Sequence, residues 1–306
     1  MKTSPDIVIL GPTATGKTRL AALVADHIHG EIISADSRQV YRDMDEGTGK
    51  DLNDYIIDGR QVPYHLVNLA DAGQRYNIFD YSRDYQSAVF AIRQRGNPVI
   101  VCGGSGMYLE TALGLYNLQK AEEDATFREE AKSMSSDELL HILAGLRPLH
   151  NTTDSIDRER LIRAIEVARS SVAEDQTKPY SLKEHVAVFG IALPRNVVRE
   201  RITLRLKARL ERGMLNEVKE LLNKGVEPGD LIYYGLEYKY LTLFLSGEMA
   251  YEQMIRSLNT AIHQFAKRQM TWYRRMERRG VNIQWLDGMQ GVEWMKNEIL
   301  KKIKGK

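Results

Sequence analysis

With 306 residues, 43% hydrophobic and 27% charged, the chain has ordinary globular usage and enough length for one large or two modest cores. Its net charge is only +2, and no apolar run approaches the roughly 18 residues of a membrane-spanning helix. Cys102 is the sole cysteine, which excludes an internal disulfide and a cysteine-cluster zinc site. Met1–Asp6 runs straight into apolar sequence without a signal peptide's profile, so a cytoplasmic protein is expected.

In chain order, Ile7–Leu10 reads as a buried strand and Lys17–Ile28 as a helix. Between them stand Gly11, Pro12, Thr13, Ala14, Thr15, Gly16, Lys17 and Thr18, a complete G-x-x-x-x-G-K-[ST] loop. A strand, a glycine loop and a helix start form an anion cradle, because successive backbone N–H groups point inward at the positive end of a helix. Lys17 adds a mobile charge for the terminal phosphates, and the Thr18 hydroxyl is placed for Mg²⁺. The chain is expected to bind a polyphosphate or pyrophosphate.

Glu31–Ser34 reads as a second strand, followed at once by Asp36-Ser37-Arg38-Gln39-Val40-Tyr41. There Asp36 suits either a general base or a metal-bound water; it also suits the cap of a following helical turn. A helix is expected over Phe79–Arg95, then a third strand over Val99–Cys102 that ends in Gly103-Gly104-Ser105-Gly106. The paired glycines permit close backbone approach, and Ser105 offers a hydroxyl or a helix cap. Cys102 is expected to be a small core residue. Strands alternating with helices predict a parallel sheet with sites at the strands' carboxyl ends.

From residue 121 to 180 the sequence becomes charged and helix-favouring, with helices expected over Ser136–Leu143 and Asp157–Ser170. Val186–Leu193 returns to strand-like sequence. Long helices follow over Arg195–Lys224 and Tyr251–Arg279, then a strand over Val281–Leu286 and a Lys-rich closing helix. Two stretches are basic: Arg199, Arg201, Arg205, Lys207 and Arg209 in the first, and Arg256, Lys267, Arg268, Arg274, Arg275, Arg278 and Arg279 in the second. With Phe265, Trp272 and Tyr273 interleaved, they suit a nucleic-acid backbone, although solvated helix faces read the same way. The fold expected is α/β, a P-loop NTPase-like parallel sheet core with C-terminal helices. Residues 1–120 and 181–306 would form that core, and 121–180 an inserted helical subdomain.

Gly11–Thr18, Asp36–Tyr41, Gly47–Lys50, Tyr64–Leu66, Gly103–Tyr108, Arg160–Glu166 and Ala266–Trp272 occur in one order. Together they resemble the tRNA dimethylallyltransferases, also called tRNA isopentenyltransferases, over nearly the whole chain. The resemblance implies transfer of a dimethylallyl group from dimethylallyl diphosphate to N6 of the adenosine beside the anticodon's 3′ end. It assigns Asp36, Lys17 and Ser105 to catalysis, with Asp36 as general base, and Gly11–Thr18 to the leaving diphosphate with Mg²⁺ at Thr18. It assigns Asp36, Ser37, Arg38, Gln39, Ser105, Arg128, Glu159, Arg160, Leu161, Ile162 and Arg163 to the tRNA, and it favours Lys267 and Arg268 as RNA contacts. A cytoplasmic monomer without membrane association is expected.

The chain departs from the family's pattern in three places. Ser105 stands where Thr is usual, Glu237 where a Gly-Tyr-Arg or Gly-Tyr-Lys segment supplies a basic residue, and Asp51 where a proline is usual. Prenylation of free adenine nucleotides, a P-loop small-molecule kinase and a non-catalytic RNA-binding paralogue are the alternatives that the residues leave open.

Overall fold

The computed structural model describes residues 6–115, 123–146, 158–171 and 186–304. Its strands are β1 (Asp6–Leu10), β2 (Glu31–Ser34), β3 (Ile56–Ile57), β4 (Arg60–Gln61), β5 (Tyr64–His65), β6 (Val99–Gly103), β7 (Val186–Ala192) and β8 (Ile283–Asp287). Its helices are α1 (Lys17–Ile28), α2 (Ile78–Gln94), α3 (Gly106–Ala112), α4 (Ala125–Ser133), α5 (Ser136–Leu146) and α6 (Arg158–Ser171). They continue with α7 (Arg195–Glu211), α8 (Met214–Asn223), α9 (Pro228–Tyr234), α10 (Leu236–Leu245), α11 (Tyr251–Arg278) and α12 (Val292–Lys304). The chain divides into two compact units, Met1–Leu115 with Leu182–Lys306, and Tyr116–Ser181.

The larger unit carries a six-stranded sheet in the order β5-β2-β6-β1-β7-β8. Every pairing in it is parallel, with Ile7 opposite Ile100 and Ala187, and Ile32 opposite Ile100 and Tyr64. Side chains alternate across a strand, so β1 serves two cores. Ile7 and Ile9 pack with Leu20 and Val24 of α1 and Ile299 of α12. Val8 and Leu10 pack with Tyr81 of α2, Leu109 of α3 and Tyr273 of α11 on the opposite face. These strand residues are at most 2% exposed, and burial of each such side chain contributes about 2 kcal/mol. Both faces are covered, which is why the strands read as continuous apolar runs.

Local sequence sets the element ends. Asn77 and Asp80 form a reciprocal capping box that starts α2, each accepting the other's backbone N–H. The expected single helix over Arg195–Lys224 is two helices, α7 and α8. Arg212 closes the first and Gly213, at φ +108°, starts the second, a conformation that favours glycine over any side chain. The last strand begins at Ile283 rather than Val281. Helices α7 to α11 enclose a third core around Ile202, Met214, Leu241 and Leu258, joined by Val40, Tyr41 and Met44 from the segment after β2.

The smaller unit holds α4, α5 and α6, packed around Phe127, Leu139, Leu143, Leu161 and Ile165. The expected helix start at Asp157 lies outside the described residues, as do several parts of the 121–180 stretch.

Candidate active site

The strand order β2-β6-β1 sets three carboxyl ends side by side, with the turn after β6 between Asp36 and the phosphate loop. In open parallel sheets this rim is where ligands bind. Gly103 makes the juxtaposition possible, since a Cβ there would sit 2.2 Å from the Ala35 carbonyl oxygen. The Ser105 amide donates to that carbonyl at 3.1 Å. The Ser105 hydroxyl accepts from the Ser37 amide at 3.0 Å and donates to the Ser37 hydroxyl at 3.3 Å. Ser105 is the N-cap residue of α3 by position, yet its side chain makes no cap hydrogen bond. Its hydroxyl ties two rim loops together instead.

Asp36 is half-buried and accepts the Arg38 amide at 3.1 Å. This is a local turn, with no helix following it, so Asp36 is no helix cap. Gln39 is 9% exposed, and its amide bridges the Ser34 hydroxyl and the Gly49 carbonyl. It shapes the rim from behind. Arg38 lies 5.8 Å from the centre of the Tyr233 ring and Arg75 lies 5.3 Å from it, giving an exposed aromatic flanked by two guanidinium groups.

The phosphate loop is braced from inside and from a distance. Thr15 donates its hydroxyl to the Pro12 carbonyl at 2.8 Å. From α11, the Gln269 carbonyl oxygen accepts the Thr13 amide at 2.9 Å, and its NH₂ donates to Gly104 at 2.9 Å. One turn later the Tyr273 hydroxyl donates to Gly11 at 3.0 Å and Gly104 at 3.3 Å. Thr13 therefore turns its amide away from the anion cradle. Gly16 starts α1 without a side-chain cap, which leaves the first-turn amides of Lys17 and Thr18 open to a ligand.

Two of the cations at the loop come from the first basic stretch, whose composition suits an RNA-binding face. Arg205 and Arg209 instead turn inward from α7. Arg205 donates to the Thr13 hydroxyl, and Arg209 donates to Asp51 at 2.9 Å. Burial, with Arg209 beside it, pulls the Arg205 guanidinium down to about 10, while Glu237, Asp51 and Asp36 act the other way. Burial likewise lowers the Lys17 ammonium, opposed by Asp36 and reinforced by Arg205 and Arg209. In both, burial disfavours the charged form, a cost that an incoming anion would relieve. Burial pushes the Cys102 thiol up to about 12, with the Lys17 charge acting the other way.

Among the described residues no group of three or more His, Cys, Asp or Glu is arranged to hold a metal. The half-buried Thr18 hydroxyl has no hydrogen-bond partner among them. A lone hydroxyl suits Mg²⁺, which keeps most of its waters and takes its remaining ligands from substrate phosphates.

Several other residues of the family segments and basic stretches have structural duties, and the rest are exposed. Lys50 is buried and donates to the Tyr41 carbonyl at 2.7 Å and to Asp45 and Asn68 at 2.5 Å. Trp272 packs on Gly106, with the Arg275 guanidinium 4.0 Å above its ring. Arg275 and Arg279 pair with the buried Glu110 at 2.8 and 2.9 Å. Lys267 and Arg268 are exposed on α11, as are Arg274 and Arg278. In the smaller unit, Arg128 and Arg163 both pair with the buried Glu166, at 2.7 and 2.9 Å. Burial works to raise that carboxyl, but the two arginines hold it near 2. Leu161 and Ile162 are 1% and 6% exposed in that unit's core, so their side chains support the helix rather than meet a ligand. Glu159 and Arg160 are exposed.

The sequence pattern described as IPP transferase matches residues 39–276. The chain belongs to that family. An IPP transferase relative, the tRNA dimethylallyltransferase 2 of Bacteroides fragilis strain YCH46, is 49% identical over 99% of both chains. The tRNA dimethylallyltransferase 1 of Porphyromonas gingivalis strain ATCC 33277 is 49% identical over 96% of this chain and 98% of its own. Among solved structures, the tRNA isopentenylpyrophosphate transferase of Bacillus halodurans matches with a TM-score of 0.70 and 27% identity, covering 99% of this chain and 97% of that one. A eukaryotic dimethylallyltransferase acting on tRNA shares the fold, with a TM-score of 0.76 at 24% identity over 92% of this chain and 73% of that one. The match to the IPP transferase pattern begins after the phosphate loop, so loop and pattern are separate lines of support.

Proposed function

We propose that this protein transfers a dimethylallyl group from dimethylallyl diphosphate to N6 of the adenosine beside the 3′ end of a tRNA anticodon. The observation that carries the reading is the rim itself. A phosphate loop crowded with desolvated cations stands across the β6 turn from an available carboxylate, Asp36. The names of the relatives favour tRNA over free nucleotides or a kinase substrate as the acceptor.

The first-turn amides of α1, Lys17 and Arg205 hold the diphosphate and stabilise the charge that grows on it as the allylic C–O bond breaks. Mg²⁺, held by the Thr18 hydroxyl together with the diphosphate, would neutralise part of that charge. N6 of the adenosine forms the new C–N bond, and its proton passes to the Asp36 carboxylate. The base must leave its stack to reach this rim. Arg38, Ser37 and the exposed Tyr233 offer it hydrogen bonds and a stacking surface. Ser105 fixes the Ser37 backbone; Lys267 and Arg268, with the exposed residues of the smaller unit, suit the RNA backbone. Among the described residues no helix is long and apolar enough to cross a membrane, and we read the protein as a monomer working in the cytoplasm.

The test is transfer of label from dimethylallyl diphosphate, with Mg²⁺, to an anticodon stem-loop, with AMP and ATP as parallel acceptors. Label on the RNA adenosine alone is the expected result. Label on free nucleotide would move the protein to the cytokinin-forming type of reaction, and ATP consumption without label would mark a kinase.

A further inference from the structure

Arg209 follows Arg205 by one helical turn on α7, and residues four apart share a helix face. Its side chain is only 4% exposed. One Nη donates to Asp51 at 2.9 Å, whereas Nε is buried with no hydrogen-bond partner among the described residues. A guanidinium presents its donors as a rigid planar fork, and buried donors in folded proteins are normally engaged. An unengaged Nε–H on a buried arginine beside an anion cradle is therefore a feature to explain. The opposite wall is cut to admit the group: Gly49 has φ +74°, and a Cβ there would lie 2.7 Å from an Arg209 Nη.

The charges around Arg209 also fit a ligand role. Its field opposes protonation of both Lys17 and Arg205, so the three cations stand within reach of one another's charge. Asp51 is its direct partner. Glu237 forms no ion pair among the described residues, yet its field reaches both arginines. Two of the chain's departures from its family's pattern, Asp51 and Glu237, thus converge on this one side chain.

We propose that Arg209 is a third cation of the diphosphate site, held by Asp51 until the anion arrives and then turning its free Nε–H to the phosphate oxygens. This rests on the reading of residues 11–18 as a diphosphate loop. Glu237 and Asp51 keep the site from holding the anion too firmly, which matters because the same pocket must release pyrophosphate after each transfer. Removing an acid should then tighten pyrophosphate, whereas removing Arg209 should loosen it.

Inorganic pyrophosphate, with Mg²⁺, titrated calorimetrically into the full chain and its variants tests this. Arg209→Met is expected to weaken binding about tenfold to a hundredfold, with partial recovery in Arg209→Lys, which keeps the charge but not the fork. Asp51→Asn is expected to tighten binding a fewfold, an outcome that a purely structural ion pair would not give. In turnover, Arg209→Met should raise the KM for the prenyl donor and leave that for the stem-loop unchanged. Wild-type affinity in Arg209→Met and Asp51→Asn, with affinity lost in Lys17→Ala, would overturn the role of Arg209 alone. No binding of pyrophosphate by the wild-type chain would overturn the diphosphate loop and this inference together.

Discussion

At the amino end of β2 the Glu31 carboxylate accepts two hydrogen bonds from Arg95 at 2.7 Å, one from Asn97 at 2.8 Å, and pairs with His65 at 2.7 Å. At the carboxyl end of the same strand, Asp36 accepts one amide at 3.1 Å and Lys17 reaches only a carbonyl at 3.5 Å. The Arg95 hydrogen bonds, against burial and aided by Asn97 and His65, hold Glu31 at about 2. Lys17 and Arg205 are displaced in the costly direction, with their charged forms disfavoured. One end of the sheet is closed by ion pairs, whereas Lys17 and Asp36 at the other end have none among the described residues. Interactions that maintain a fold close on themselves, whereas those reserved for chemistry stay open at a cost in stability.

Breaking the open end should change the rate and leave the fold intact. Lys17→Ala should lower prenyl transfer by about a thousandfold, with a thermal midpoint unchanged or raised; a fall in both would make Lys17 part of the closed set. Asp36→Asn should lower transfer about a hundredfold or more while sparing stem-loop binding; retained turnover would remove it as general base. Breaking the closed end should do the reverse. Glu31→Gln should cost about 2 kcal/mol in denaturant melts, with turnover per folded molecule unchanged. Because Glu31 is depressed in the fold, its contribution is present above its ordinary value of 4.5 and is lost as pH falls towards about 2. The variant's stability should therefore fall less steeply over that window. The smallest effect belongs to the exposed face of α11. Replacing Lys267, Arg274 and Arg278 with Ala should weaken RNA binding and reduce the salt slope by about 0.7 for each phosphate no longer neutralised.

The same contrast explains what could be read from the sequence. The phosphate loop, its flanking strand and helix, and the rim segments at Asp36 and Ser105 are contiguous patterns, and they stand where the pattern placed them. Gln269 and Tyr273 were hidden because their hydrogen bonds span between 165 and 262 residues. Arg205 and Arg209 lay in plain view but in a basic helix, and composition cannot say which side of a helix turns inward. Nor did the alternation of residues reveal β5, two residues long and too short for any period. The helix break at Gly213 was marked by its glycine, which a strongly helical surrounding masked.

Cys102, near the carboxyl end of β6 and within reach of the Lys17 charge, is buried, and burial raises its thiol to about 12. The thiolate is the reactive form, so alkylating reagents and mild oxidants should pass the native chain by. That silence makes the protein a natural background for single-label spectroscopy. A cysteine introduced beside Tyr233 would carry the only dye on the molecule, and a change in its emission on adding an anticodon stem-loop would test whether RNA reaches the rim.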